Sequence, residues 1–221
     1  MSIIENVIKI IIHYFPMLLR GLGVTLELSA ITVFFGAFIG LFVCLLVISP
    51  IKILSFLGKA YVEIIRGVPL LLQLCAIYLV FSSVIGKFAA TAVALILNSG
   101  AYVAEIMRAG IQAVDKGQTE AARSLGLSKM KTMIKVILPQ AIRNILPAIG
   151  NEYVTIIKET SLAMTFFVGD LMTIQKEIGS VTYLYLEAYI AVGIFYFIST
   201  FTLSKLILAM ERRMKRSVGY S

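Results

Sequence analysis

From Leu22 to Ile48 the chain is almost continuously apolar, and no charged residue occurs between Glu27 and Lys52. A helix needs roughly 20 apolar residues to cross a bilayer, so this stretch is long enough to span it with tilt. Four more stretches of the same character lie at about Tyr61 to Phe81, Phe88 to Met107, Asn144 to Ile157 and Tyr183 to Met210. Composition agrees: 59% of residues are apolar and 14% charged, against about 45–50% and about 25% in soluble domains. The sequence therefore reads as an all-α membrane protein with five transmembrane helices in one domain, residues 1–221.

Charge fixes the expected orientation. Lys52 and Lys59 fall between the first two spans, and Arg108, Lys116, Arg123, Lys129, Lys131, Lys135 and Arg143 between the third and fourth. The end of the chain, "ERRMKRSVGYS", is basic as well, whereas the turn at Lys87 and the segment from Thr160 to Thr182 carry little positive charge. Positive-inside counting puts the basic group in the cytoplasm, with the N-terminus outside and the C-terminus inside. The net charge of +8 is thereby assigned to anionic headgroups and orientation, not to nucleic acid. Residues 1–19 read as an amphipathic helix on a membrane or a partner. They lack the basic start and small-residue cleavage site of a signal peptide.

Cys44, Cys75 and the single His13 stand in apolar surroundings with no companion ligands. This leaves no disulfide, metal or nucleophile constellation and no reactive centre for a membrane enzyme. Gly36 and Gly40 make a small-xxx-small face for close helix approach, within one subunit or between two.

The polar insert 112–139 interrupts the apolar pattern. In "EAARSLGLSKMKTMIKVILP" (120–139), Ala121, Ala122 and Leu125 form a narrow apolar stripe. Gly126 suits the left-handed turn that stops a helix, and Ser128 suits the cap of a second helix. Met130, Met133, Ile134 and Ile137 are expected on one face opposite Lys129, Lys131 and Lys135, with Pro139 ending that helix. The insert is either a docking device or a solvated loop.

Ionisable groups inside a membrane cost about 2.5–3.5 kcal/mol on insertion scales and usually have a task. Glu152 is the candidate, with Thr155 and Glu159 on its helical face; Asn98, Ser99 and Gln73 are polar groups in other spans that could complete a pocket. Glu152 either contacts a cationic substrate or neutralises Arg143 or Lys158, and Asn98 and Gln73 could equally hydrogen-bond between helices. Glu63–Arg66 and Glu105–Arg108, at i, i+3, are expected ion pairs.

The insert resembles the cytoplasmic EAA signature of membrane subunits of bacterial ABC importers: Glu-Ala-Ala, three residues, Gly, nine residues, then Ile-x-Leu-Pro. Glu120, Ala121, Ala122, Gly126, Leu138 and Pro139 match in register, and Val136 stands for the usual isoleucine. "YVEIIRGVPLLLQL" (61–74), "SGAYVAEIMRAGIQAVDKGQTEAARSLG" (99–126) and "NEYVTIIKETSL" (151–162) are similar to the polar amino-acid branch of that family. The resemblance implies the type I ABC importer transmembrane fold in a bacterial cell membrane. It also implies pairing with a second permease subunit, an identical one by preference. An extracytoplasmic amino-acid-binding protein would deliver substrate. A separate ATPase subunit would receive the coupling helix at Glu120, Ala121, Ala122, Leu125 and Gly126.

Asn151–Glu152 is similar to importers of arginine, lysine and histidine, with glutamine or another neutral polar amino acid as the alternative. No Gly-x-x-x-x-Gly-Lys-Ser/Thr loop occurs in the chain, so no cofactor is expected on it and ATP and Mg belong to the partner. The rival class is an ATP-independent secondary transporter. The lack of internal repeats and the size of the insert speak against it.

Overall fold

The computed structural model describes residues 2–216 and is helical throughout, with no strand among the described residues. Helix α1 (Ile3–His13) opens with a reciprocal cap: Glu5 N–H donates to Ser2 Oγ at 3.3 Å and Ser2 N–H donates to Glu5 Oε2 at 3.1 Å. Helix α2 (Phe15–Val47) follows after Tyr14, with Pro16 in its first turn. The expected helix over 1–19 thus resolves into α1 and the first turn of α2.

At 33 residues, α2 is about 50 Å long, and it runs through all three clusters of buried side chains. Leu18 packs with Val7 and Ile10 of α1 at one end, Leu28 lies in the middle cluster, and Val43, Cys44 and Val47 lie at the other end. Its buried side also carries Thr25, Ser29, Thr32, Gly36 and Gly40, while Phe34, Phe35, Phe38 and Phe42 are exposed. The Ser29 and Thr32 hydroxyls donate to the carbonyls of Thr25 and Leu28, which keeps these buried groups satisfied.

Helices α3 (Lys52–Gly67) and α4 (Leu70–Ile85) replace the single expected span at 61–81, and their axes bend by 102°. Pro69 has no N–H to continue the helix and excludes the helical region for its predecessor; Val68 is extended at φ −105°, ψ 133°. Helix α5 (Lys87–Gln112) is more enclosed than α2. Gly36 and Gly40 pack against it within the same chain. A Cβ on Gly40 would lie 2.6 Å from Val103 Cγ1, and one on Gly36 would lie 2.9 Å from Ser99 Oγ.

The insert holds α6 (Lys116–Ser124) and the short α7 (Lys129–Thr132). Pro139 does not end the second of these, contrary to expectation. The chain continues through a wide π-type turn, Met133–Ile137, into α8 (Leu138–Glu159), where Leu138 N–H donates to the Met133 carbonyl. The looser turn absorbs a residue that can neither donate nor fit a regular helix interior. The expected Met–Ile face is also split. Ile137 is buried and Met133 half-buried, but Met130 and Ile134 are exposed.

A short 3-10 stretch (Thr160–Phe166), α9 (Leu171–Thr182) and α10 (Tyr185–Arg216) complete the fold. Asp170 caps α9, accepting from Met172 N–H at 3.0 Å, while Leu171 N–H donates to Thr25 Oγ1 at 3.0 Å. Among the described residues three helices, Phe15–Val47, Lys87–Gln112 and Tyr185–Met214, are long and apolar enough to cross a membrane, and the bent pair α3–α4 could form a fourth crossing. Helix α8 falls short of that hydropathy; Gln140, Arg143, Asn144, Asn151 and Glu152 lower it. Residues 217–221 of the basic C-terminal stretch lie outside the described residues.

Candidate functional site

Glu152 sits on the buried side of α8, in line with Ala141, Ile145 and Ile156, and is only 9% exposed. Ser99 Oγ of α5 donates to Glu152 Oε1 at 3.5 Å, a long contact. Next to Ser99, Asn98 donates from Nδ2 to Gln73 Oε1 of α4 at 3.2 Å. Helix α5 thus joins polar groups from α4 and α8. Neither Arg143 nor Lys158 pairs with Glu152 among the described residues.

The six expected pocket residues divide. Gln73 and Asn98 form one hydrogen-bonded pair and Ser99 and Glu152 another, on neighbouring positions of α5. Thr155 donates back to the Asn151 carbonyl of its own helix at 3.2 Å, and Glu159 lies two turns further along α8, half-buried. Neither joins these pairs by a hydrogen bond among the described residues.

Gln73 also has a structural task. Its Nε2 donates to the carbonyls of Ile65 at 2.7 Å and Val68 at 2.8 Å. These carbonyls lose their helical partners at the Pro69 break, and a membrane helix must satisfy them internally.

An ion-pair cluster lies further along α5. Arg108 makes a two-pronged contact with Glu105, from Nε at 2.9 Å and Nη2 at 2.8 Å. Arg66 does not follow the expected pairing with Glu63. It reaches across to Glu105 Oε2 at 3.5 Å and lies over the Tyr102 ring, 5.2 Å from its centre. The α3–α4 bend brings Arg66 against α5, and sequence spacing does not encode that approach.

The exposed insert is built by local rules. Asp115 caps α6, accepting from Gly117 N–H at 2.7 Å, a cap that the sequence pattern left unassigned. At the other end Gly126 has φ +82°. Gly126 N–H donates to the Arg123 carbonyl at 3.0 Å and Leu127 N–H to the Ala122 carbonyl at 3.1 Å, the paired bonds of a Schellman stop. Ser128 Oγ accepts from Lys131 N–H at 3.3 Å. Ala122 turns inward and is buried, while Glu120 and Ala121 face out with Leu125, which is 82% exposed. The stripe expected over Ala121, Ala122 and Leu125 is therefore divided between the chain's own body and the open surface.

Residues 36–216 match the family described as binding-protein-dependent transport system inner membrane component. Among curated relatives, the arginine transport system permease protein ArtQ of Bacillus subtilis (strain 168) is 39% identical over 204 residues, covering 90% of this chain and 93% of that protein. The probable glutamine ABC transporter permease protein GlnM of the same organism is 36% identical, covering 95% of this chain and 99% of its own. A chain from the crystal structure of an amino acid ABC transporter with histidines superposes with a TM-score of 0.88 at 47% identity. That match covers 92% of this chain and 96% of the other.

Proposed function

The chain belongs to the family of binding-protein-dependent transport system inner membrane components, and from that premise we propose that it is the permease subunit of an ATP-driven importer of basic amino acids. Arginine, lysine and histidine are its substrate class. The observation that carries this choice is Glu152: a carboxylate buried in the bundle, met by one hydroxyl at 3.5 Å and by no cationic side chain among the described residues. A cationic side chain arriving there would supply the missing counter-charge. The names of two relatives point the same way, since one is an arginine permease and the other was solved with histidines.

Glutamine is the second reading. The Asn98–Gln73 amide pair offers a neutral partner, and GlnM is named for glutamine.

The family's description implies an extracytoplasmic binding protein, and the permease role calls for an ATPase subunit that carries ATP and Mg. In the proposed assembly two identical permease chains pair, each with five crossings, the N-terminus outside and the C-terminus in the cytoplasm. α8 supplies the fourth crossing despite its polar residues, because its buried side faces protein. The face formed by Glu120, Ala121 and Leu125, held by the Gly126 turn, enters a cleft of the ATPase. ATP binding then biases the bundle between inward- and outward-facing states, and hydrolysis resets it.

The test is ATP-dependent uptake of labelled arginine by the chain reconstituted with its ATPase and binding protein. Competition by lysine and histidine alone supports the proposal. Competition by glutamine selects the second reading, and uptake that needs no ATPase overturns both.

A further inference from the structure

Helix α1 has three distinct sides. Successive residues of a helix are turned by about 100°, so positions four apart share a side. On the first side Val7 and Ile10 are buried with Leu171, Ile174, Ile178, Ala188, Ala191 and Val192 of α9 and α10. Beside them Asn6 donates from Nδ2 to the buried Glu187 Oε1 at 3.1 Å. On the second side Ile4, Ile8 and Ile12 are 72%, 51% and 72% exposed. On the third, Glu5, Lys9 and His13 are exposed at the same spacing.

A helix with one side on the protein and the rest in water has no reason to present three isoleucines in register. Burial of the whole outer surface under another protein would also enclose Glu5, Lys9 and His13. An apolar strip bounded on one edge by protein and on the other by polar groups suits a boundary between acyl chains and headgroups. What lies beyond α1 identifies the occupant. α2 begins two residues after α1 ends, its first turns expose Phe15 and Leu19, and it is the most hydrophobic of the three long apolar helices among the described residues. The isoleucine strip thus runs directly into the surface of a membrane helix.

We propose that α1 is an interfacial helix whose Ile4, Ile8 and Ile12 side is seated in the lipid leaflet that α2 enters. Glu5, Lys9 and His13 face headgroups and water, and the Asn6–Glu187 bond ties this lipid contact to the start of α10. α1 thereby sets the depth of the α9–α10 corner relative to the bilayer, whatever substrate the bundle carries.

The test is nitroxide accessibility in the full-length chain, in a Cys44→Ala, Cys75→Ala background reconstituted into phosphatidylcholine–phosphatidylglycerol vesicles. Labels are placed through Ile4→Cys, Ile8→Cys, Ile12→Cys, Glu5→Cys and His13→Cys. Phe38→Cys on the exposed apolar face of α2 and Gln118→Cys on the insert calibrate lipid and water. The expected result is an oxygen-to-nickel collision ratio at Ile4, Ile8 and Ile12 that is several-fold higher than at Glu5 and His13 and close to that at Phe38. Nickel access at the isoleucine positions matching Gln118 would place them in water and overturn the proposal. Low access to both reagents with immobilised spectra would mean that protein covers them, and would overturn it too.

Discussion

Glu152→Gln keeps the shape of the side chain and removes its charge. Ser99 Oγ, now 3.5 Å from Glu152 Oε1, can donate to the amide oxygen just as it does to the carboxylate, so packing between α5 and α8 is retained. What changes is the response to a cation. A hydrogen bond to a charged group contributes about 1.5–3 kcal/mol net, and about 1.4 kcal/mol is tenfold in affinity, so arginine should bind roughly ten- to a hundred-fold more weakly. Citrulline matches arginine in size and lacks its charge, so its affinity should move by less than about threefold. The assay is equilibrium binding of labelled arginine to the purified membrane complex without binding protein, with citrulline as competitor. Equal losses for the two ligands, or no arginine binding by the unmutated complex, would refute the counter-charge argument and leave Glu152 a structural residue.

Three further substitutions follow from backbone and packing geometry. Gly126→Val places a β-branched residue at φ +82°, a cost of about 1–2 kcal/mol. ATPase activity should become uncoupled from uptake while membrane insertion is unchanged, and normal uptake would sink the role given to the turn. Gly40→Val puts a side chain where Val103 Cγ1 would be 2.6 Å from the new Cβ; overpacking of this kind costs about 1–3 kcal/mol, read as a lower unfolding temperature in detergent, and an unchanged temperature would contradict the tight α2–α5 crossing. Gln73→Leu strips the Ile65 and Val68 carbonyls of their donor. Each unsatisfied group costs about 1–3 kcal/mol, so thermal stability should fall even without substrate, and a loss confined to transport would mean that Gln73 serves cargo instead of the bend.

The parts of the fold that were legible in sequence are those set by a few neighbouring residues. The Gly126 stop and the Ser128 cap need only local backbone geometry, and both stand as expected. Polar residues inside apolar runs also announce themselves, because lipid penalises them; Gln73, Asn98, Ser99 and Glu152 were visible for that reason. Their partners were not. That Gln73 serves the Pro69 break depends on how α4 folds back under α3, and that Arg66 chooses Glu105 over Glu63 depends on the same bend. The break itself was hidden by averaging: Pro69 sits within a run whose mean apolarity suggests one uninterrupted span. Helix α2 hides its buried side for another reason. In lipid the large side chains face outward, so Phe34, Phe38 and Phe42 are exposed while Thr25, Ser29, Gly36 and Gly40 are inside. The apolar period of a soluble helix is therefore absent.

The π-type turn is the departure from expectation with the largest mechanical consequence. Had Pro139 ended the second helix of the insert, a flexible joint would separate the insert from the bundle. Instead the path from Lys129 to Glu159 is helical without a break, and Glu152 lies about 35 Å along it from Lys129 at about 1.5 Å per residue. Under the proposed docking, a displacement of α6 passes through the Gly126 turn to α7 and from Lys129 reaches the buried carboxylate along one element. That element can yield at two places, the Met133–Ile137 turn and Pro147 inside α8. Ser99, on the other side of the contact, belongs to α5, which is locked to α2 by the Gly36 and Gly40 crossing. Movement of α8 against that pair would alter a contact already at 3.5 Å. Among the described residues two hydrogen bonds join α8 to α5, Asn144 Nδ2 to the Gly110 carbonyl at 3.4 Å and Ser99 Oγ to Glu152 Oε1 at 3.5 Å, and the second stands at the carboxylate that the proposed function gives to the substrate.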